Sequence, residues 1–275
     1  MGCQKIIIKK DAANNPVSNF EIFYNDFNNY YAQFKIRHIN WDSVYTVYRP
    51  QIAEDSYDSQ LFGVMSKMVY LLNDMHVNLF APIGSASWKS PFPSAYPSDK
   101  LINAQKYLLS GTKQATPLEY WNMRNYNIGY IVIPTFATTG NVTNNDNSEY
   151  LKIDNILSEF KNKDGIIIDV RWNGGGNSFY AETVASRFAD KKRLSYKVKE
   201  KIGPGKNDFS DWINWYIEPG GNYQFIKPVV VLTSRLTSSS AETFVAYMNV
   251  LPQVTIVGDT TGGGSGNPIF IILQH

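Results

Sequence analysis

Residues 237–244 read TSSSAETF, three serines in succession followed by Ala241 and Glu242. Adjacent hydroxyls at the start of a helix admit two chemistries. One is capping. Ser239 and Glu242 fit the pattern S-x-x-E, in which the serine accepts a hydrogen bond from a first-turn N–H and the glutamate reaches back, a device worth about 1 kcal/mol. The other is nucleophilic attack by a hydroxyl whose proton a neighbouring base removes.

The candidate bases are few. Of the three histidines, His275 is the last residue and His38 sits beside Arg37 in a polar connection, so both read as surface residues. His76 follows LLND at an expected helix end and precedes the β-like VNLFA, a place where a side chain can be held at a domain junction. Two glycine-rich stretches, RWNGGGNS (171–178) and GDTTGGGSGNP (258–268), can adopt backbone conformations closed to other residues. The N–H groups of the first, which joins a strand to a helix, can face a phosphate or an oxyanion. Neither nucleotide-binding glycine pattern is matched at that turn, so nucleotide binding ranks low.

Other hydrolase arrangements are absent. There is no G-x-S-x-G elbow, and the S-x-x-K match at Ser110 to Lys113 has no S-D-N or K-T-G after it. H-E-x-x-H is missing, and three scattered histidines with one cysteine argue against a catalytic zinc site, so no metal or cofactor is expected.

The elements that must position these residues follow from periodicity. Phe20, Phe23, Tyr24, Phe27, Tyr30, Tyr31 and Phe34 fall at helical spacing after Ser18, which with Glu21 makes another S-x-x-E start. A shorter helix is expected over 40–50, ended by Pro50, and a third over 59–74, so residues 18–80 read as an N-terminal helical domain after a flexible tether, 1–17. Residues 81–125, rich in serine and proline, read as an irregular connection. From 126 the rhythm becomes strand and helix in alternation: strands over 127–136, 165–170, 228–234 and 254–259, helices over 148–162, 178–190 and 240–252. That alternation predicts an α/β layer with mainly parallel strands.

Composition bounds the class. The 275 residues are 43% hydrophobic, enough for a sizeable core, and 26 basic against 24 acidic residues leave a net charge of +2. No general attraction for nucleic acid or anionic membrane follows. The locally basic DKKRLSYKVKEK (190–201) reads as a solvated strand edge. The single cysteine, Cys3, excludes an internal disulfide. In MGCQK it looks like the end of a bacterial lipobox whose signal peptide is missing from the sequence. No stretch reaches the ~18 apolar residues of a membrane span.

Taken in order, GYIVIPTF, GIIIDVRWNGGGNS, VVVLTSRLTSSSAETF and VGDTTGGGSGNP resemble the serine peptidase family of the C-terminal-processing (tail-specific) proteases and the tricorn core protease. Upstream, NFEIFYNDFNNYYAQF, INWDSVYTVYRP and LLNDMHVNL resemble the N-terminal helical domain of small envelope-associated bacterial members. The resemblance implies a ClpP/crotonase-like α/β core over 126–275, incomplete at its C-terminus, and no PDZ domain in 81–125. It implies Ser239 as nucleophile, with the Ser240 N–H and one from Gly174 to Gly176, foremost Gly175, as the oxyanion hole. The lysine base of tail-specific proteases corresponds to Gly264 here, and no lysine follows Lys227. The tricorn-like branch uses instead a histidine from a D-x-H-like segment, which NDMH matches with Asp74 and His76. Met75 stands where that branch has a serine, and its acidic fourth group is expected beyond residue 275. The implied activity is hydrolysis of extended peptides or unfolded proteins in the periplasm or at the outer membrane, with a lipid on Cys3. The alternative is a weak or inactive member that binds peptides or apolar ligands, and a third reading is a crotonase-type acyl-CoA enzyme without a serine nucleophile.

Overall fold

The computed structural model describes residues 6–7, 13–88, 106–109, 111–138, 146–264, 266 and 269–271. The chain forms two compact units, one of residues 1–90, 199–213 and 266–275, the other of 91–198 and 214–265. Cys3, His275 and the segment 89–105 lie outside the described residues.

The first unit begins with β1 (Ile6–Ile7), which pairs in parallel with Phe270–Ile271. Helix α1 (Pro16–Tyr30) has Pro16 in its first turn and is capped by Asn15, which accepts the Ser18 N–H at 2.8 Å. The expected Ser18/Glu21 box is therefore not formed. Glu21 instead pairs with Arg49 and accepts the Tyr45 hydroxyl at 3.0 Å. Helix α2 (Trp41–Tyr48), capped by Asn40, runs into a 3-10 turn over Arg49–Gln51 that carries Pro50. Helix α3 (Asp58–Leu71) follows, then the antiparallel hairpin β2 (Asn78–Ala81) and β3 (Gly84–Ser87). Phe20, Phe23, Trp41, Leu61, Met65 and Met68 are buried together. Phe34, past the end of α1, still stacks on Trp41 with ring centroids 5.3 Å apart. Of the returning segment 199–213, Lys206 pairs with Asp42.

The second unit is built on a six-stranded mixed sheet. Its strands are β4 (Lys113–Ala115), β5 (Leu118–Asn122), β6 (Ile128–Val132), β7 (Gly165–Asp169), β10 (Val229–Thr233) and β11 (Val254–Gly258), in the order β11-β10-β7-β6-β5-β4. The four central and later strands are parallel, while β5 and β4 add on antiparallel. Those two antiparallel strands, with β4 at the sheet edge, come from the stretch read as irregular. Each is short, and Pro117 separates them, which hides the alternation from which strands are read.

Helices α4 (Ser148–Leu151), α5 (Ile153–Phe160), α6 (Ser178–Ala185) and α7 (Ser240–Asn249) contribute to one core with Ile166, Ile168, Val229 and Val231 of the sheet. The opposite face, through Ile167 and Leu232, meets a smaller cluster of Leu108, Trp121, Tyr130 and Val132. Two-sided burial explains why β7 and β10 read as unbroken apolar runs. Strands β8 (Arg193–Val198) and β9 (Ile213–Ile217) pair separately, and Lys197 at the exposed face of β8 fits the solvated edge expected there. A methyl group added at Gly129 would lie 2.4 Å from the ring of Phe160, which is itself buried. Gly129→Ala is expected to destabilise the chain by about 1–3 kcal/mol, read as a lower denaturant midpoint at unchanged slope.

Candidate active site

Four turns at the carboxyl ends of parallel strands lie side by side: 133–137 after β6, 170–176 after β7, 234–239 after β10 and 259–263 after β11. Backbone hydrogen bonds join them. The Phe136 N–H donates to the Gly175 carbonyl at 2.8 Å, Ser238 N–H to Asn173 O at 3.0 Å, and Ser239 N–H to Gly263 O at 3.0 Å. Binding sites of open α/β sheets form at this end of the strands.

The three serines differ sharply in environment. Ser238 and Ser240 are 0% and 3% exposed, with hydroxyls that have no partner among the described residues, while Ser239 is only partly buried. Ser239 has φ 55° and ψ −127°, a left-handed conformation that favours glycine and costs a serine on the order of 1–3 kcal/mol. A strand–turn–helix with a strained serine at the helix entrance is how a nucleophile is presented above a sheet. The capping box expected here does not form, because Ser239 makes no side-chain cap bond and Glu242 accepts the Gly263 N–H at 3.0 Å.

Gly175 has φ 100°, and a side chain there would meet the Ser239 Cβ at 2.5 Å and its Oγ at 3.0 Å. A side chain at Gly176 (φ 142°) would lie 2.1 Å from the Phe136 main chain. A side chain added at Gly174 would meet nothing within 4 Å. The structure thus brings Ser239, Ser240 and the 174–176 turn together. The Gly175 N–H, however, donates to Asn173 Oδ1 at 2.8 Å. The Gly175 carbonyl is held by Phe136, and across a trans peptide the Gly176 N–H points the opposite way, with no partner among the described residues. The Ser240 N–H, at the first position of α7, has none among them either.

Asn173 was not singled out from the sequence. It is fully buried, and its Nδ2 donates to Ile133 O at 3.0 Å while its Oδ1 holds Gly175. Just before it, Asp169, 1% exposed, takes two bonds from the Arg171 guanidinium, one from the Arg171 backbone N–H and one from the Tyr130 hydroxyl at 2.6 Å. Burial first, and then the Asp169 charge, pushes the Tyr130 hydroxyl well above its ordinary pKa. Burial alone would lower the Arg171 pKa, but its bonds to Asp169 raise it. Arg171 also lies over the Trp172 ring, 4.3 Å from its centroid.

His76 and Asp74 belong to the other unit. His76 Nδ1 lies 2.8 Å from the Gly266 carbonyl, which can only accept, so Nδ1 carries a proton and, in the neutral ring, the lone pair is on Nε2. Asp74, 2% exposed, does not hold the imidazole. Its Oδ1 accepts the His76 backbone N–H at 3.0 Å and its Oδ2 the Tyr31 hydroxyl at 2.8 Å, with Arg37 at 3.4 Å. No group of three or more histidine, cysteine, aspartate or glutamate residues suited to a metal occurs among the described residues.

Comparison with known proteins places this arrangement. The model of peptidase family S41 matches residues 127–273, and that of the tricorn protease C1 domain matches 13–70. The chain belongs to peptidase family S41. A carboxy-terminal processing protease of Bacillus subtilis, CtpA, is 31% identical over 157 residues, 56% of this chain and 30% of its own length. This chain therefore spans about a third of that S41 relative. A candidate peptidase from Parabacteroides merdae superposes with a TM-score of 0.80 at 31% identity, covering 92% of this chain and 78% of that one. Mature CPAF shares the fold at a TM-score of 0.67 and 12% identity, over 92% and 84% of the two chains. At the S41 position where tail-specific proteases were expected to carry lysine, Gly264 adopts φ 79°.

Replacing Asn173 by alanine strands the Gly175 N–H and the Ile133 carbonyl without partners, at about 1–3 kcal/mol each. Asn173→Ala is expected to lower stability by at least about 2 kcal/mol in chemical denaturation.

Proposed function

We propose that this chain is a serine peptidase in which Ser239 is the nucleophile and His76 the general base, acting on extended peptides or unfolded proteins. The observation that carries the reading is the strained, solvent-reaching Ser239 set against Gly175, while both neighbouring serines are buried. The tautomer of His76 supports its part, since a base needs a free lone pair and the Gly266 carbonyl leaves one on Nε2.

In this mechanism His76 removes the Ser239 proton as Oγ bonds to the peptide carbonyl carbon. The oxyanion of the tetrahedral intermediate takes bonds from the Ser240 N–H and the Gly176 N–H, each donor worth about 3 kcal/mol. Gly176 replaces Gly175 in that role because the Gly175 N–H is already engaged by Asn173. His76 then returns its proton to the leaving amine as the C–N bond breaks, and water, deprotonated by the same imidazole, releases the acyl group from Ser239. The N-terminal dipole of α7 favours the developing negative charge. Exposed main chain at the glycine turns suits a substrate in extended form.

A lipid on Cys3 and residence in the bacterial cell envelope belong to the same proposal and rest on the sequence MGCQK. An N-terminal peptide of the native protein with the mass of unmodified cysteine overturns the lipid.

The central test is cleavage of an unbiased peptide mixture, read by mass spectrometry. Ser239→Ala and His76→Ala are each expected to slow cleavage by about a thousandfold or more, and Ser238→Ala to leave it intact. Cleavage that persists in Ser239→Ala overturns the assignment.

A further inference from the structure

The S-x-x-E pattern leaves Glu242 without the capping role it usually has, and the structure gives it another. Its Oε1 accepts the Gly263 N–H at 3.0 Å, and the Gly263 carbonyl accepts the Ser239 N–H at 3.0 Å. Ser238 and Gly263 form an isolated parallel bridge, and Gly262 N–H donates to Thr237 O at 2.8 Å. Gly263 (φ 88°) and Gly264 (φ 79°) are both left-handed, so nothing in the local backbone preference of this stretch holds it against α7. Glu242, in the first turn of α7, ties the stretch to the helix that Ser239 opens.

We infer that Glu242 is a positioning residue: it fixes the Gly263 peptide, which through its carbonyl holds Ser239 in its left-handed conformation. The chain of contacts is Glu242 Oε1 to Gly263 N–H, then Gly263 C=O to Ser239 N–H. This rests on the reading of Ser239 as nucleophile only for its effect on reactivity, since the hydrogen-bond relay stands without it.

A plainer role competes with this one. An acidic residue in a first turn also stabilises a helix through its charge alone. Three variants separate the two. Glu242→Asp keeps the charge but is one methylene too short to reach Gly263. Glu242→Gln loses the charge but keeps an oxygen acceptor at the same reach. Glu242→Ala loses both.

Amide hydrogen exchange of Gly263 and Ser239 in the folded protein reads the relay directly, and the rate of labelling by a fluorophosphonate probe reads the reactivity of Ser239. Loss of a hydrogen bond to a charged group corresponds to about tenfold or more. Both amides are therefore expected to exchange about tenfold faster in the Asp and Ala variants, with labelling slowed by a similar factor, and to stay near the parent in the Gln variant. If Ser239 keeps its parental exchange rate in Glu242→Asp, or if Gln exchanges as fast as Ala while Asp is protected, the inference is overturned. Should the Ala variant fail to fold, the Asp and Gln pair decides alone. A parent protein that the probe does not label counts against Ser239 as nucleophile, and the exchange rates still decide the relay.

Discussion

The backbone of Ser239 is the constraint around which the second unit is arranged. A residue with a β-carbon sits where glycine is preferred, and it stays there because the surroundings leave no alternative. On one side the missing side chain of Gly175 makes room for the Ser239 Cβ, and on the other Gly263 accepts its N–H. A side chain at Gly262 would lie 2.4 Å from the Arg235 carbonyl, so that turn too approaches its neighbour main chain to main chain. Close backbone contact among three turns, one of them tied to α7 by Glu242, holds the serine in place.

Such contact requires the strands beneath to end in register. β6, β7, β10 and β11 are parallel and adjacent, so their carboxyl ends open on the same side of the sheet and deliver their turns to one place. The helices on one face supply the stiffness. Phe136, in the turn after β6, packs on Phe244 of α7 with ring centroids 5.5 Å apart, and the stacked Tyr150 and Tyr180 tie α4 to α6. Tyr150 also donates its hydroxyl to the Thr135 and Ala137 carbonyls, so the core reaches directly into the turn that holds Gly175.

Much of this was legible in the sequence, and the reason is burial. Strands covered on both faces read as short apolar runs, and the helices between them carry a 3.6-residue period, so from residue 127 onward each expected element lies within a few residues of the observed one. The helices at the N-terminus were equally plain from their apolar and aromatic spacing. What escaped was of two kinds. The edge strand β4 is three residues long and β5 follows it across Pro117, and β1 pairs with a segment more than 260 positions away, so no local pattern announces any of them. In the site, the serine and glycines stood out by type and clustering. Asn173 did not, because an asparagine before glycines is first read as a turn residue, and only the fold reveals that its amide closes onto Ile133 and Gly175.

The S-x-x-E pattern shows where pattern reading stops. The same two residues serve a capping box when the serine adopts an extended conformation and its hydroxyl turns inward to the helix. With φ at 55° the Ser239 side chain makes no cap bond, and Glu242 accepts from another donor. The donor it finds belongs to the neighbouring turn. Local spacing was compatible with both outcomes, and the choice between them was made by the sheet, which brings Gly263 beside the helix entrance. A short motif therefore names the groups available for hydrogen bonding, while the topology of the strands decides which of them meet.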